Sequence, residues 1–390
     1  MTQVFLEIGE PVREPKGPAL LSAGHRPFFL CAALSAVFLL ALWLFALMGD
    51  LTLSSTWHAH EMLYGFAGAA IAGFLMAAVP KWTNGRSPTG LPLAMITMIW
   101  VLGRIGVFAG DVYEELYMLA YADLLFMPII AYVVARMIMG AKNARNYVVL
   151  AILGGIIISN IAYHFFDPAN ALRAGVFMVA TLAALIGGRV IPAFTQNALR
   201  IHTGDQRIIC STPAWTHKAT LVLMFLLAGT QLFGAPVMVT GAISAVLAAV
   251  LFFRMLKWRS LNTLFDPIVW ILHAAYVWLP IGFTLKALSD LTGLVETNAA
   301  LHALTSGGIG LLILAVASRA ALGHSGRPLK VSVATVASYL LVIAATILRV
   351  LAFSPEWVTL SGMMWVAGFG LFAIVYTPIL IKPRIDGLPG

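Results

Sequence analysis

About twelve apolar runs follow one another along this chain, each close to the roughly 20 residues that an α-helix needs to cross a bilayer. Only 10% of the 390 residues are charged, whereas soluble domains carry about a quarter. Because the bilayer offers no hydrogen-bond partners to the backbone, such runs fold as helices. The alternation of polar and apolar residues that marks an outer-membrane barrel is missing. The sequence therefore predicts an all-α polytopic membrane protein with about 12 transmembrane helices.

The predicted domain organisation is one transmembrane bundle over residues 1–390. It has an N-terminal segment (1–26), six spans (27–194), a connection (195–216) and six more spans (217–382). The individual spans are expected near residues 27–48, 59–79, 91–110, 116–139, 147–166, 171–194, 217–233, 236–256, 267–289, 297–318, 331–352 and 358–381.

The charged residues predict the orientation of the bundle. If the N-terminus is cytoplasmic, all but five of the 24 Lys and Arg residues fall in cytoplasmic segments. This asymmetry follows the positive-inside rule and places both termini in the cytoplasm. The net charge of +8 then reflects insertion and contact with membrane lipids, and we infer no nucleic-acid partner. The opposite loops are acidic and contain Asp50, Asp111, Glu114, Glu115, Asp167, Asp290, Glu296 and Glu356.

The five exceptions are Arg104, Arg173, Arg189, Lys286 and Arg349. All except Arg189 lie in the periplasmic third of their predicted spans. Charges at this depth are costly and usually have a partner. One explanation is pairing with lipid headgroups or loop acids, and the other is a buried anion near the periplasmic side.

Five of the nine histidines lie within or beside predicted spans. His58, His60, His164 and His302 come from three helices and fall at one depth near the periplasmic face. His273 lies nearer the middle of the membrane. A single histidine at a helix end is commonly an interfacial residue, but four at one depth favour a metal site. Neutral imidazole is a good ligand for haem iron and for copper, so all five are candidate metal ligands.

The spacing of His58 and His60 is informative. At 100° per residue, the two side chains point about 200° apart on a helix, so they serve two sites, or one ligates and the other supports it. His58 is expected to share a face with Glu61, and His60 with Tyr64. Glu61 and His58 are the candidate catalytic residues, and Tyr64 is a candidate cofactor contact.

Small residues follow both His60 and His302 along their predicted spans. The stretch GFAGAAIAGF follows His60, and ALTSGGIG follows His302. Small residues commonly allow close helix packing, and here they could also leave a slot for a flat macrocycle. In that case Arg104, Arg173, Lys286 and Arg349 lie at the right depth to bind the propionates of a haem. The chain has no C-x-x-C-H motif, so any haem is held non-covalently.

Three further features of the sequence carry predictions. Asp123, Asn160 and Gln231 are candidate members of a proton path. Pro192, close to Arg189, is expected to break the sixth span. The similar stretches GHRP, at residues 24–27, and GHSGRP, at 323–328, are predicted to be loop-to-helix turns, with a cytoplasmic metal or quinone-headgroup site as the alternative.

The sequence resembles the NnrS family of bacterial membrane proteins. The stretches that carry the resemblance are GHRPFFL, WHAHEMLYGFAGAAIAGFL, GGRVIPAFTQNAL, LHALTSGGIG and SRAALGHSGRPL. The resemblance implies a haem- and copper-containing protein of the bacterial cytoplasmic (inner) membrane, linked to nitric oxide metabolism, denitrification and resistance to nitrosative stress. It marks His58, His60, Glu61, Arg189, His302, His324 and Arg327 as motif positions.

A looser similarity is to the catalytic subunit of haem–copper oxidases and nitric oxide reductases. Those proteins have twelve spans, with axial haem ligands on helices two and ten, where His60 and His302 stand here. This chain lacks the histidines on helices six and seven that would complete a three-histidine metal site. A second metal therefore requires other ligands, such as His58, His164, Glu61 or His273.

Three functions are compatible with these observations. The first is an oxidoreductase that reduces nitric oxide, with haem b, copper or another second metal, and electrons from quinol or a small donor. The second is a haem protein for electron transfer or nitric oxide sensing, without turnover. The third is a twelve-span transporter, which the topology allows but the histidines do not require.

Overall fold

The computed structural model describes residues 17–387, and within this range the chain is built of helices joined by short connections. Residues 1–16, which include the cations Arg13 and Lys16, lie outside the described residues. The helices are α1 His25–Met48, α2 Ser55–Thr83, α3 Gly90–Val112, α4 Glu114–Gly140, α5 Ala144–Phe165, α6 Pro168–Thr203, α7 Ala214–Leu232, α8 Val237–Met255, α9 Pro267–Thr292, α10 Thr297–His324, α11 Val333–Val350 and α12 Pro355–Ile381.

Eleven of these helices are long and apolar enough to cross a membrane, close to the predicted number of about 12. The remaining helix is α7, whose hydropathy is lowered by His217 and Lys218 near its start and by Gln231 near its end. The start of α1 nevertheless lies beside the end of α12, because Arg26 Nη1 donates to the carbonyls of Leu380 (2.9 Å) and Lys382 (2.6 Å). Two ends on one face of the bundle require an even number of crossings, so α7 supplies the twelfth.

Local sequence explains where several helices begin. Ser54, Asp167, Asp266 and Ser332 each accept a hydrogen bond from a backbone N–H in the first turn of the helix that follows. Such caps satisfy donors that the helix itself leaves without a partner. Proline occupies the first turn of α6, α9 and α12, where a missing N–H costs nothing.

One expectation about helix boundaries was wrong. Pro192 does not break the sixth span, because α6 continues through it to Thr203. The connection to α7 is therefore confined to residues 204–213 rather than 195–216. A proline removes one backbone hydrogen bond, which a long helix packed on several sides tolerates.

The helices differ strongly in how much of their surface the bundle covers. In α2 and α6, 83% of the membrane-length window is buried, against 33–44% in the outer helices α1, α3, α4, α5, α8, α11 and α12. α9 and α10 are intermediate at 61%. The helix that carries His58 and His60 is therefore central, and side chains on its opposite faces meet different neighbours.

If α7 spans the membrane, its two flanking connections lie on opposite sides. In a background with Cys31→Ser and Cys210→Ser, we expect Gln206→Cys and Phe233→Cys to react with an impermeant maleimide from opposite faces of sealed vesicles. Cysteines at Arg86 and Gln206 should react from the same face and serve as the matched control. Labelling of positions 206 and 233 from one side would show that α7 does not cross.

Candidate functional site

The site begins at the N-terminal end of α2. Ser54 caps the helix by accepting from Trp57 N at 3.0 Å. The segment Ser55–His60 is α-helical, and Glu61–Ala67 then forms a wider π-helical turn. His58 and His60 leave the helix in different directions, as their spacing predicts. Each is surrounded by its own set of side chains.

His58 lies beside His302 of α10. The two imidazole planes are 11° apart and their centroids are separated by 6.5 Å. Trp43 of α1 stacks on His58, and the centroids of the two rings are 4.9 Å apart. Arg349 of α11 lies close enough for its positive charge to act on both imidazoles. We call His58 and His302 the outer histidine pair.

The tautomer of His302 is set by a backbone contact. Its Nδ1 lies 2.7 Å from the carbonyl oxygen of Asn298. A carbonyl only accepts, so Nδ1 carries the proton and Nε2 keeps a free lone pair. This is the form of imidazole that binds a metal, and the backbone contact orients the ring for it.

His60 faces a buried group of charged residues that come from α2, α3 and α4. Arg104 forms ion pairs with both Glu61 and Asp123, and all three side chains are at least nine-tenths buried. His60 Nδ1 lies 3.1 Å from Glu61 Oε1. One guanidinium for two carboxylates leaves one negative charge in excess, in a region where unbalanced charge is costly. We call these four residues the buried ion network.

The second ring nitrogen of His60 faces oxygen atoms as well. Its Nε2 lies 3.2 Å from Asn160 Oδ1 and 3.4 Å from Asp123 Oδ2. The Asn160 amide is oriented by its Nδ2, which donates to Asp123 Oδ2 at 2.6 Å. A neutral imidazole has a single N–H, so one of its two nitrogens here meets only acceptors. The lone pair of that nitrogen therefore faces only oxygen atoms.

His164 of α5 completes a group of three metal-ligating side chains. One ligand atom from each of His60, Asp123 and His164 lies within 4.8 Å of the other two, and all three residues are buried. His164 Nδ1 lies 3.4 Å from the Tyr117 hydroxyl. Its Nε2 is buried and has no hydrogen-bond partner among residues 17–387. The sequence did not predict Asp123 as a ligand, because nothing in its spacing places it beside His60.

The structure separates several residues that the sequence grouped together. His302 pairs with His58 rather than with His60. Glu61 was expected to share a face with His58, but Arg104 draws its carboxylate to the His60 side. Tyr64 does pack on His60, with ring centroids 4.8 Å apart, and its hydroxyl donates to Ser159 at 3.0 Å.

The candidate cations differ in their ion-pair partners. Arg104 is engaged by two carboxylates, and Lys286 pairs with Asp290 at 2.7 Å. Arg349 is half-buried beside the outer histidine pair and has no ion-pair partner within the described chain. Arg173 is half-buried near the start of α6 and forms none of the ion pairs found among residues 17–387.

His273 lies apart from the other candidate ligands. Its Nε2 is 2.7 Å from the hydroxyl of Thr195 on α6. Its ring also packs at 6.0 Å from that of Trp258. His273 therefore belongs neither to the outer histidine pair nor to the buried ion network.

The small residues of α2 and α10 serve helix packing. A Cβ at Gly73 would meet the ring of Phe29 at 2.8 Å, one at Gly307 would meet Trp278 at 2.5 Å, and one at Gly310 would meet Trp365 at 2.3 Å. Neighbouring side chains thus fill the space that these glycines leave. Gly73, Gly307 and Gly310 therefore do not form a slot for a macrocycle.

The chain belongs to the NnrS family. The family model, described as NnrS protein, matches residues 19–384 and thus nearly the whole chain. None of the curated proteins matches the chain significantly. The multi-pass membrane architecture and the family are therefore established together, while the chemistry has to be argued from the two histidine groups.

Loss of Arg104 should destabilise the bundle, because it leaves two buried carboxylates without a cation. We expect Arg104→Gln to cost about 3–5 kcal/mol, measured by denaturant unfolding in detergent. Lys286→Gln, which removes the partner of a single carboxylate, is the matched control and should cost less. Adding Glu61→Gln to Arg104→Gln should recover part of the loss. An Arg104→Gln protein as stable as the parent would contradict the network.

Proposed function

We propose that this NnrS-family membrane protein binds haem b non-covalently through the outer histidine pair, holds a second metal ion at His60, Asp123 and His164, and acts on nitric oxide. The biological role would be protection against nitrosative stress. The observation that carries the proposal is the parallel arrangement of His58 and His302, with the lone pair of His302 Nε2 left free.

The spacing of the outer histidine pair fits shared ligation of one metal. With metal–nitrogen bonds of about 2 Å on both sides, the centroids of two imidazoles lie about 6 Å apart. The observed separation of the two centroids is 6.5 Å, with 11° between the planes. Histidine is a common ligand of haem iron.

The surroundings of the outer pair also fit haem. Arg349 supplies a cation that is not consumed by a carboxylate, and a guanidinium binds propionates bidentately. Trp43 supplies an aromatic wall next to His58. Arg104 is excluded from this role, since it holds Glu61 and Asp123.

The second metal would be held by two imidazoles and one carboxylate. This donor set suits copper, iron or another first-row divalent ion, and it leaves coordination positions open. Glu61 would orient His60 through Nδ1, while Arg104 holds the other oxygen of Asp123. Contacts of this kind fix metal ligands in their binding orientation. A metal ion at Nε2 of His60 would also offset the excess negative charge of the network.

Bound haem would supply an iron that passes electrons, and the second metal, which would keep open coordination positions, would bind nitric oxide. Reduction of two nitric oxide molecules to nitrous oxide and water consumes two electrons and two protons, and quinol or a small donor would provide the electrons. The Oε2 atom of Glu61 is buried and has no hydrogen-bond partner within residues 17–387, so it is the acceptor that this region offers to a proton donor. Tyr117, which is 37% exposed, and His164 connect this region with the outer surface.

The bundle contains apolar space that fits a small gas molecule. A cavity of about 80 Å³ lies between α2, α6 and α10 and is lined almost entirely by apolar side chains, among them Ala70, Val179 and Ile309. Dry apolar cavities accept small apolar molecules. Nitric oxide is such a molecule, so this cavity would be able to hold it.

A second function is favoured by one observation. If both His58 and His302 bind the same iron, the haem has no open position, which is typical of electron transfer. Nitric oxide would then react at the second metal, or the protein would transfer electrons or sense the gas without turnover.

The haem prediction is tested on purified protein. We expect a haem absorption spectrum whose intensity per polypeptide falls at least about 10-fold in His302→Ala, since an axial ligand is lost. His273→Ala removes an imidazole outside both groups and should leave the spectrum unchanged. A shift of the reduced spectrum on adding nitric oxide indicates an available iron, whereas an unchanged spectrum favours the electron-transfer function. Equal haem content in His302→Ala and the parent would exclude the proposed ligation.

The second metal is tested by elemental analysis. Asp123→Asn should lower the content of non-haem metal at least about 10-fold and leave the haem absorbance intact. Asp290→Asn, which alters another buried and ion-paired carboxylate, is the matched control. His164→Gln provides a second variant should Asp123→Asn fold poorly. Unchanged metal content in both site variants would show that no ion is held there.

A further inference from the structure

The two similar stretches GHRP and GHSGRP are not used by the proposed function. They belong to the start of α1 and to the turn after α10, nearly 300 residues apart in the sequence. The structure brings them together at the end of the bundle that is predicted to be cytoplasmic. The rings of His25 and His324 lie 4.7 Å apart, with an angle of 39° between their planes.

Basic side chains from four helices or their ends surround these two imidazoles. Lys81 Nζ lies 3.5 Å from His324 Nε2, and Arg384 Nη1 donates to the carbonyl of His324 at 3.0 Å. Arg327 and Arg384 lie close enough to Arg26 for their charges to act on it. We call this group the basic cluster; it consists of His25, Arg26, Lys81, His324, Arg327 and Arg384.

Part of the cluster has a structural explanation. Arg26 Nη1 binds the last carbonyls of α12, and Arg384 forms an ion pair with Asp386. These contacts fasten the C-terminal segment to the start of α1. They leave the charges of Lys81 and Arg327 without a carboxylate in the ion pairs of the described chain.

Two buried donors in the cluster remain unsatisfied. Arg327 Nη1 and Arg26 Nε are shielded from solvent and have no hydrogen-bond partner in residues 17–387. Arg26 is only 1% exposed. Buried polar groups in folded proteins are almost always paired, and an orphaned guanidinium N–H is costly. Arg26 Nε and Arg327 Nη1 are therefore donors that the described protein atoms do not use.

The chemistry of the cluster selects the acceptor. Guanidinium and ammonium groups together bind phosphate oxygens with charge-assisted hydrogen bonds. Basic pockets between transmembrane helices on the cytoplasmic side are typical sites for anionic lipid headgroups. Lys81 is exposed at the rim of the cluster and Arg327 is partly exposed, while Arg26 is buried.

We propose that the basic cluster binds a phosphate group, supplied either by the headgroup of an anionic phospholipid or by free phosphate. This site lies outside both histidine groups and does not depend on the proposed haem or on nitric oxide. It would join α1, α2, α10 and the C-terminal segment through a bound anion.

The test compares the parent with the double variant Lys81→Gln/Arg327→Gln. Native mass spectrometry of the detergent-purified protein is recorded during titration with phosphatidylglycerol, with phosphatidylcholine and with inorganic phosphate. We expect the parent to retain about one phosphatidylglycerol, and the double variant to bind it roughly 30-fold more weakly, since two basic residues are lost. Arg145→Gln is the matched control, because Arg145 is exposed at the same predicted face but outside the cluster.

The outcomes distinguish a lipid headgroup from free phosphate and show which results would overturn the proposal. Displacement of lipid by millimolar phosphate, or binding of phosphate alone, would support a phosphate site filled from solution. Retention of phosphatidylglycerol only would support a lipid site. Equal binding by the parent, the double variant and Arg145→Gln would overturn the proposal, and so would equal binding of phosphatidylcholine. If the double variant does not fold, Arg327→Lys with Lys81→Gln keeps one charge and should show an intermediate loss.

Discussion

The outer half of this bundle depends on how buried charges are neutralised. Arg104 on α3 binds Glu61 on α2 and Asp123 on α4, and Asp123 in turn accepts from Asn160 on α5. Four helices are thus tied together at a depth where an unpaired charge is not tolerated. Because His60 is the next residue to Glu61, the same contacts fix its position. The charge pairing therefore determines which histidine faces which neighbour.

The two π-helical segments occupy equivalent positions in α2 and α10. In α2 the π-helix begins directly after His60, and in α10 it begins directly after His302. π-Helical turns are rare and are often found at functional sites. The wider turn changes the direction of the residues that follow, so a histidine at a helix end can face inward while the rest of the helix packs through its small residues. The similar design of α2 and α10 supports a shared role for their histidines.

The sequence was sufficient for the architecture but not for the partners within it. Hydropathy and basic residues located most of the helices to within about four residues, although α10 extends six residues beyond its predicted end. The 100° rule separated His58 from His60. The extent of α6 beyond Pro192 was missed, since a proline tolerated inside a packed helix looks like a break in a sequence. Which side chains meet across helices is decided by helix rotation and packing, and these have no signal in a single sequence.

Asp123 and Arg104 illustrate this limit. Arg104 was expected near a haem propionate, because its acidic partner on α4 cannot be recognised from spacing. The glycines beside His302 were compatible with a slot, until Trp278 and Trp365 were seen to fill them. Residue types therefore indicated that polar groups gather at this depth, while their division into two groups required the fold.

The central claim is that His58 and His60 serve two separate sites on opposite sides of α2. The most direct test measures haem and non-haem metal per polypeptide in His58→Ala and in His60→Ala, purified side by side. The account predicts reciprocal losses: His58→Ala loses haem and retains the second metal, and His60→Ala loses the second metal and retains haem. Loss of the same component in both variants, or of neither, would contradict it.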